Sequence, residues 1–136
     1  MIRIRGPDEA SRIGDPDIRQ LVEQRFHEIC NGEPYDREVH GEMIVVEAGD
    51  RLTDLESETG LPIATNPFDE SRFPDPEFVP VAETLEEHAA TYEMTFILTD
   101  DGCGVSLFIP KRPDIDPELL SLCAKFSVPA FDPAAR

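Results

Sequence analysis

The stretch Tyr92-Glu93-Met94-Thr95-Phe96-Ile97-Leu98-Thr99-Asp100-Asp101-Gly102-Cys103-Gly104-Val105-Ser106-Leu107-Phe108-Ile109-Pro110 decides the fold class. Two runs rich in β-branched and aromatic residues flank Asp101-Gly102, a dipeptide favoured in two-residue hairpin turns because both positions accept positive φ. Such a turn sets the register: Leu98 opposite Val105, Phe96 opposite Leu107, Met94 opposite Ile109. All three pairs are apolar and share one face, so register and burial agree. The other face, with Glu93, Thr95, Ile97, Ser106 and Phe108, is mixed. Ile97 and Phe108 are diagonal neighbours there and, left uncovered, form an apolar patch on which a partner can dock. The competing expectation is that the Phe-bearing loop upstream covers them.

Outward from the hairpin, the chain reads as helices and one further strand. A helix is predicted over Pro16–Cys30, with Asp15 as N-cap, Pro16 at the first helical position and Asn31-Gly32 as the left-handed stop. Ile18, Leu21, Val22, Phe26 and Ile29 recur at helical spacing. A second helix is predicted from Pro117 to about Val128, capped by Asp116, with Leu119, Leu122, Cys123 and Phe126 as its buried stripe. Glu42–Ala48 reads as a strand, and its run Met43-Ile44-Val45-Val46 suits a central strand covered on both faces. Asp50 is positioned to cap a short helix through Leu52 and Leu55 that stops at Gly60, and Thr84 to cap another through Leu85 to Ala89. Residues 61–80 show turn chemistry and no period, with Phe68, Phe73 and Phe78 as anchors. Together these imply a single α+β domain over residues 1–136. Its expected form is a small antiparallel sheet of about three to five strands, including the 92–110 hairpin, with the N- and C-terminal helices packed on one face.

Charge is the most uneven property of the chain. The 136 residues carry a formal net charge of −17, and residues 31–90 hold sixteen of the 29 acids against Arg37, Arg51 and Arg72. A field of that sign repels nucleic acid and anionic membrane surfaces and attracts basic partners. No apolar run approaches the roughly 20 residues needed to span a bilayer. Met1-Ile2-Arg3-Ile4-Arg5 lacks an apolar leader core, so the reading is cytoplasmic. Cys30, Cys103 and Cys123 make no even disulfide framework and read as reduced thiols.

No segment carries a phosphate loop, a Ca²⁺ loop or a basic patch with aromatics. His27 and Cys30, at i and i+3, supply only two of the groups that a metal needs, and no metal or cofactor is expected. His40 and His88 sit among acids and read as surface histidines. Cys103 has no base nearby in sequence, and Asp100 and Asp101 oppose thiolate formation. Adjacent acids such as Asp69-Glu70 and Glu86-Glu87 read as solvated. Arg25 falls inside the apolar stripe of the first helix. It either snorkels to the edge or pairs with a carboxylate of the sheet or of the acidic middle, and an ion pair is expected over anion binding.

The function expected is that of a small acidic interaction module. An adaptor, an inhibitor or immunity protein, or a secretion-chaperone-like protein would each dock a basic or amphipathic protein partner. Asp69, Glu70, Glu86, Glu87, Ile97 and Phe108 are the candidate contact residues. Two other readings stay open: an enzyme with a site beneath the irregular middle, where Arg25, His40 and Cys103 converge, and a structural subunit whose acidity serves solubility alone.

Overall fold

In the computed structural model, residues 1–69, 80–98 and 104–130 are described. The strands are β1 (Ile2–Ile4), β2 (Glu42–Val45), β3 (Pro80–Glu87), β4 (Thr91–Leu98), β5 (Gly104–Pro110) and β6 (Val128–Pro129). The helices are α1 (Pro16–Cys30), α2 (Arg37–His40), α3 (Leu52–Thr59) and α4 (Pro117–Phe126), with a 3₁₀ turn over Pro7–Arg12. Among the described residues the strands form one sheet in the order β1-β2-β5-β4-β3-β6. The fold is α+β, but the sheet is mixed: β2 runs parallel to β5 and β6 parallel to β3, while the other pairs are antiparallel.

The expectation of a small antiparallel sheet with both helices on one face is corrected by β2. Every residue of this strand is buried. Met43 and Val45 pack with Ile18, Val22 and Phe26 of α1 and with Phe108. Ile44 and Val46 pack with Leu52 and Leu55 of α3 and with Leu119, Leu122 and Cys123 of α4. Successive side chains of a strand point to opposite faces. A strand buried at every position therefore needs cover on both sides, and α1 supplies one layer while α3 and α4 supply the other.

Two further expectations change for local reasons. Residues 80–87 form β3, not a helix capped by Thr84. The i, i+3 spacing of buried Ala82 and Leu85 suits a helix turn, but the β3–β4 register shifts between Ala82 and Thr84. The bulge inserts one residue and returns Leu85 to the face of Ala82. In the β4–β5 pair, Phe96 faces Val105, Met94 faces Leu107 and Tyr92 faces Ile109, two residues displaced from the register that an Asp101-Gly102 turn would set. A slip of two keeps every side chain on its face, so the hydrophobic pattern cannot detect it. Asp101-Gly102 and Cys103 lie outside the described residues, as do Phe73 and Phe78; Phe68 packs on Phe126, with ring centroids 6.1 Å apart.

The two long helices start as their sequences require. The Asp15 carboxylate accepts the amides of Asp17 and Ile18, and Asn31 closes α1 in the left-handed conformation. Asp116 caps α4 through the amide of Glu118 (3.0 Å) and also accepts the Leu52 amide at the start of α3 (2.8 Å). Asp50 is therefore not the cap of α3. Its carboxylate takes the Glu47 amide and the Met1 ammonium instead. Because Asp116 serves two helix starts, Asp116→Ala is expected to cost about 2 kcal/mol, against about 1 kcal/mol for Asp15→Ala. Urea midpoints of the two variants measure this, and equal costs would show that the bond to Leu52 contributes nothing.

Candidate functional site

The β3–β4 register sets Glu86 directly opposite Glu93. Met94 and Tyr92 face α3 and α4, so Glu93 points to the α1 side of the sheet. Like charges facing each other across an antiparallel pair are destabilising, and here one of them is almost dry: the Glu93 side chain is 3% exposed. Arg25 answers it from α1. Its Nε donates to Glu93 Oε2 (2.6 Å), its Nη2 to Glu93 Oε1 (2.5 Å), and its Nη1 to Glu28 Oε2 (2.5 Å). The hydrogen bonds to Glu93 hold the guanidinium pKa above its ordinary value. His88 completes the group. The turn bond from its backbone amide to the Thr91 carbonyl (2.9 Å) aims the ring, whose Nε2 lies 3.1 Å from Glu93 Oε1 and 3.8 Å from Glu86 Oε2.

Further along the same face of β4, Thr95 and Ile97 floor a groove of about 190 Å³. Ile29 at the end of α1, Val39 and His40 of α2, and Ser106 of β5 line it as well. The corner before β2 presses onto the start of β5: a Cβ on Gly41, at φ +85°, would lie 2.2 Å from the Gly104 carbonyl oxygen. Only glycine fits there. The Tyr35 hydroxyl donates to the Gly41 carbonyl, and its ring stacks on His40 and meets Phe26 edge-on. Burial, first, raises the Tyr35 pKa. The Asp36 amide donates to His40 Nδ1 (3.0 Å) and the Asp36 carboxylate caps α2 at the Glu38 amide. This pinned segment leaves Val39 61% exposed between the groove and a second concavity lined by Arg5, Glu33, Tyr35 and Asp36. Glu33, Asp36 and Glu38 stand exposed around it, whereas Glu42 is held by Arg3 (2.8 Å) and Arg37 (3.2 Å).

The structure does not gather the residues proposed from sequence. Ile97 lines the groove. Phe108 does not: it is fully buried in the core beneath α1, so the apolar patch with Ile97 does not exist. Glu86 joins His88 and Glu93, while Glu87 turns to the other face and pairs with Lys111 (2.7 Å). Asp69 follows Phe68 in the loop, and Glu70 lies outside the described residues. Arg25 is engaged by Glu93 and Glu28, His40 by Asp36, Glu33 and Tyr35, so among the described residues these two share no partner, and Cys103 lies outside them. Glu93 and Val39 escaped sequence reading. The signal for Glu93 was Arg25 itself, a cation in an apolar stripe that required a buried anion.

In the Arg25 cluster both oxygens of Glu93 already accept hydrogen bonds from the guanidinium. Cys30 and Cys123 are buried, and burial pushes the Cys123 thiol up to about 12. No helix among the described residues is long and apolar enough to cross a membrane. Comparison with protein-family models, curated proteins and solved structures gives no match.

Two predictions follow from this geometry. Arg25→Ala leaves Glu93 buried opposite Glu86 and is expected to cost about 3 kcal/mol, most of it recovered by adding Glu93→Met. Chemical denaturation of both variants checks this, and a cost below that of a surface pair would refute it. Cys123, neutral in the fold, should resist a thiol reagent at pH 8 until urea unfolds the chain. The folded pKa lies above the 9.0 of a free thiol. The stability linked to Cys123 is therefore complete below pH 9 and lost as pH rises toward 12. The alkaline loss of stability should be smaller in Cys123→Ala.

Proposed function

We propose that this protein is an acidic interaction module that docks a basic segment bearing an apolar side chain in the groove beside Val39. The observation that carries this reading is the exposure of Val39. A large aliphatic residue stands out from a rigidly pinned segment, between a groove floored by Ile97 and Thr95 and a second concavity whose lining includes Glu33 and Asp36. The C-terminal end of α1, with its partial negative charge, closes at the same place. A partner's Lys or Arg residues would meet the rim while one apolar side chain fills the groove. Charge at the rim governs encounter rate and salt dependence, and the groove governs retention.

One observation favours the solubility reading instead. Exposed acids also lie on α1 (Glu23), α3 (Asp54, Glu58), β3 (Glu83) and α4 (Glu118), on both sides of the sheet. Titrating a peptide of alternating Leu and Lys into ¹⁵N-labelled protein separates the two. Docking predicts shifts concentrated at Ile29, Val39, Ile97 and Ser106, weakened at least tenfold by Val39→Asp and by raising the salt from about 0.05 M to 0.5 M. Shifts spread evenly over Glu23, Asp54 and Glu118, indifferent to Val39→Asp, would leave solubility as the role of the charge.

A further inference from the structure

We propose that Glu86, His88 and Glu93 form a binding site for a divalent cation of zinc type, with Arg25 as the outer partner of the buried carboxylate. Around Arg25 stand three carboxylates, Glu28, Glu86 and Glu93, so one guanidinium faces three anions, one of them dry. Three carboxylates against one guanidinium leave an excess of two negative charges, which one divalent cation matches. Cross-strand opposition of Glu86 and Glu93 is the kind of arrangement that is unfavourable without such compensation.

Geometry makes the same point. One atom from each of Glu86, His88 and Glu93 lies within 4.8 Å of the others. Ligands bound at about 2.0–2.1 Å in a tetrahedral site stand roughly 3.3 Å apart. The His88 Nε2 to Glu93 Oε1 separation is 3.1 Å and that to Glu86 Oε2 is 3.8 Å. The cation would stand in place of the hydrogen bond between Nε2 and Oε1, with the imidazole neutral and its one proton carried on Nδ1. Arg25 Nη2 donates to the same Oε1, so the cation would take the other lone pair of that oxygen, while Nε keeps Glu93 Oε2 and Nη1 keeps Glu28. Arg25 then does for Glu93 what outer hydrogen-bonding groups do for metal-ligating carboxylates: it fixes the orientation of the ligand. One imidazole with two carboxylates suits zinc better than magnesium, which prefers an all-oxygen shell with retained water. Three protein ligands leave a fourth position open to solvent or to a partner's side chain.

The strand geometry explains why these ligands converge. Glu86, near the end of β3, and His88, just beyond it, have one residue between them, and Glu93 stands opposite Glu86 on β4. The His27 and Cys30 pair, by contrast, lacks a third ligand within reach among the described residues.

The test is calorimetric titration of Zn²⁺ into the full chain at about 0.15 M salt, where diffuse binding to surface acids is screened. We expect a single site, weakened more than about tenfold by His88→Gln and by Glu86→Gln. Glu87→Gln, on the opposite face, should leave it unchanged. His88 and Glu86 are only partly buried at the hairpin end, and circular dichroism before titration verifies that each variant is folded. Substituted Co²⁺ should give visible d–d bands without thiolate charge transfer. Equal affinity in all variants, a loss in Glu87→Gln as large as in His88→Gln, or a thiolate band would each overturn the site.

Discussion

Every residue of β2 is buried, and its side chains alternate between two different cores. A strand in that position must be covered twice, and this requirement organises the molecule. It places α1 on one face and α3 with α4 on the other. It also puts β2 inside the sheet, between β1 and β5, where parallel pairing with β5 joins the N-terminal third to the C-terminal hairpin. With α1 fixed across that face, Arg25 arrives above β4 and the end of α1 arrives above Thr95 and Ile97. The charged cluster and the groove are therefore two positions along one exposed margin of the same layer.

The buried carboxylate at the centre of that layer shows how an acidic chain accommodates its own charge. Part of the acidity is engaged by the fold itself. Asp15, Asp36 and Asp116 cap helices, Asp50 and Glu47 hold the Met1 ammonium, and Glu42 and Glu93 each draw arginine onto the sheet. These roles tie charge to architecture, because each removes orphan amides or pairs a cation at a defined place. What remains for a partner is a smaller set of acids than the composition suggests, and Glu33 and Asp36 among them line the concavity beside Val39.

Parts of this were legible in the sequence, and the failures have physical causes. Helices α1 and α4 were legible because caps, first-turn proline and period all agree at Asp15-Pro16 and Asp116-Pro117. The hairpin was legible as an element but not in its register, since a two-residue slip is invisible to an alternating pattern. β3 was misread because its bulge imitates helical spacing at Ala82 and Leu85. That error hid the site. Read as a helix, Glu86 and His88 point in different directions, and only on a strand do they share a face with each other and with Glu93. Sequence also assigned both helices to one face although the run Met43–Val46 already required two.

The strand order carries a kinetic meaning. β3, β4 and β5 are consecutive neighbours and close through short connections, so their meander forms at small entropic cost. β2 reaches β5 only by closing a loop of about sixty residues. Local pairing is fast and distant pairing slow, which makes the meander the early structure and the docking of β1, α1 and β2 the late one. Until that docking, the unpaired edge of β5 and the Phe108 side chain that α1 covers face solvent together. A nascent or heated chain is most exposed to strand-to-strand association at that edge, and the excess negative charge borne by every copy acts against it.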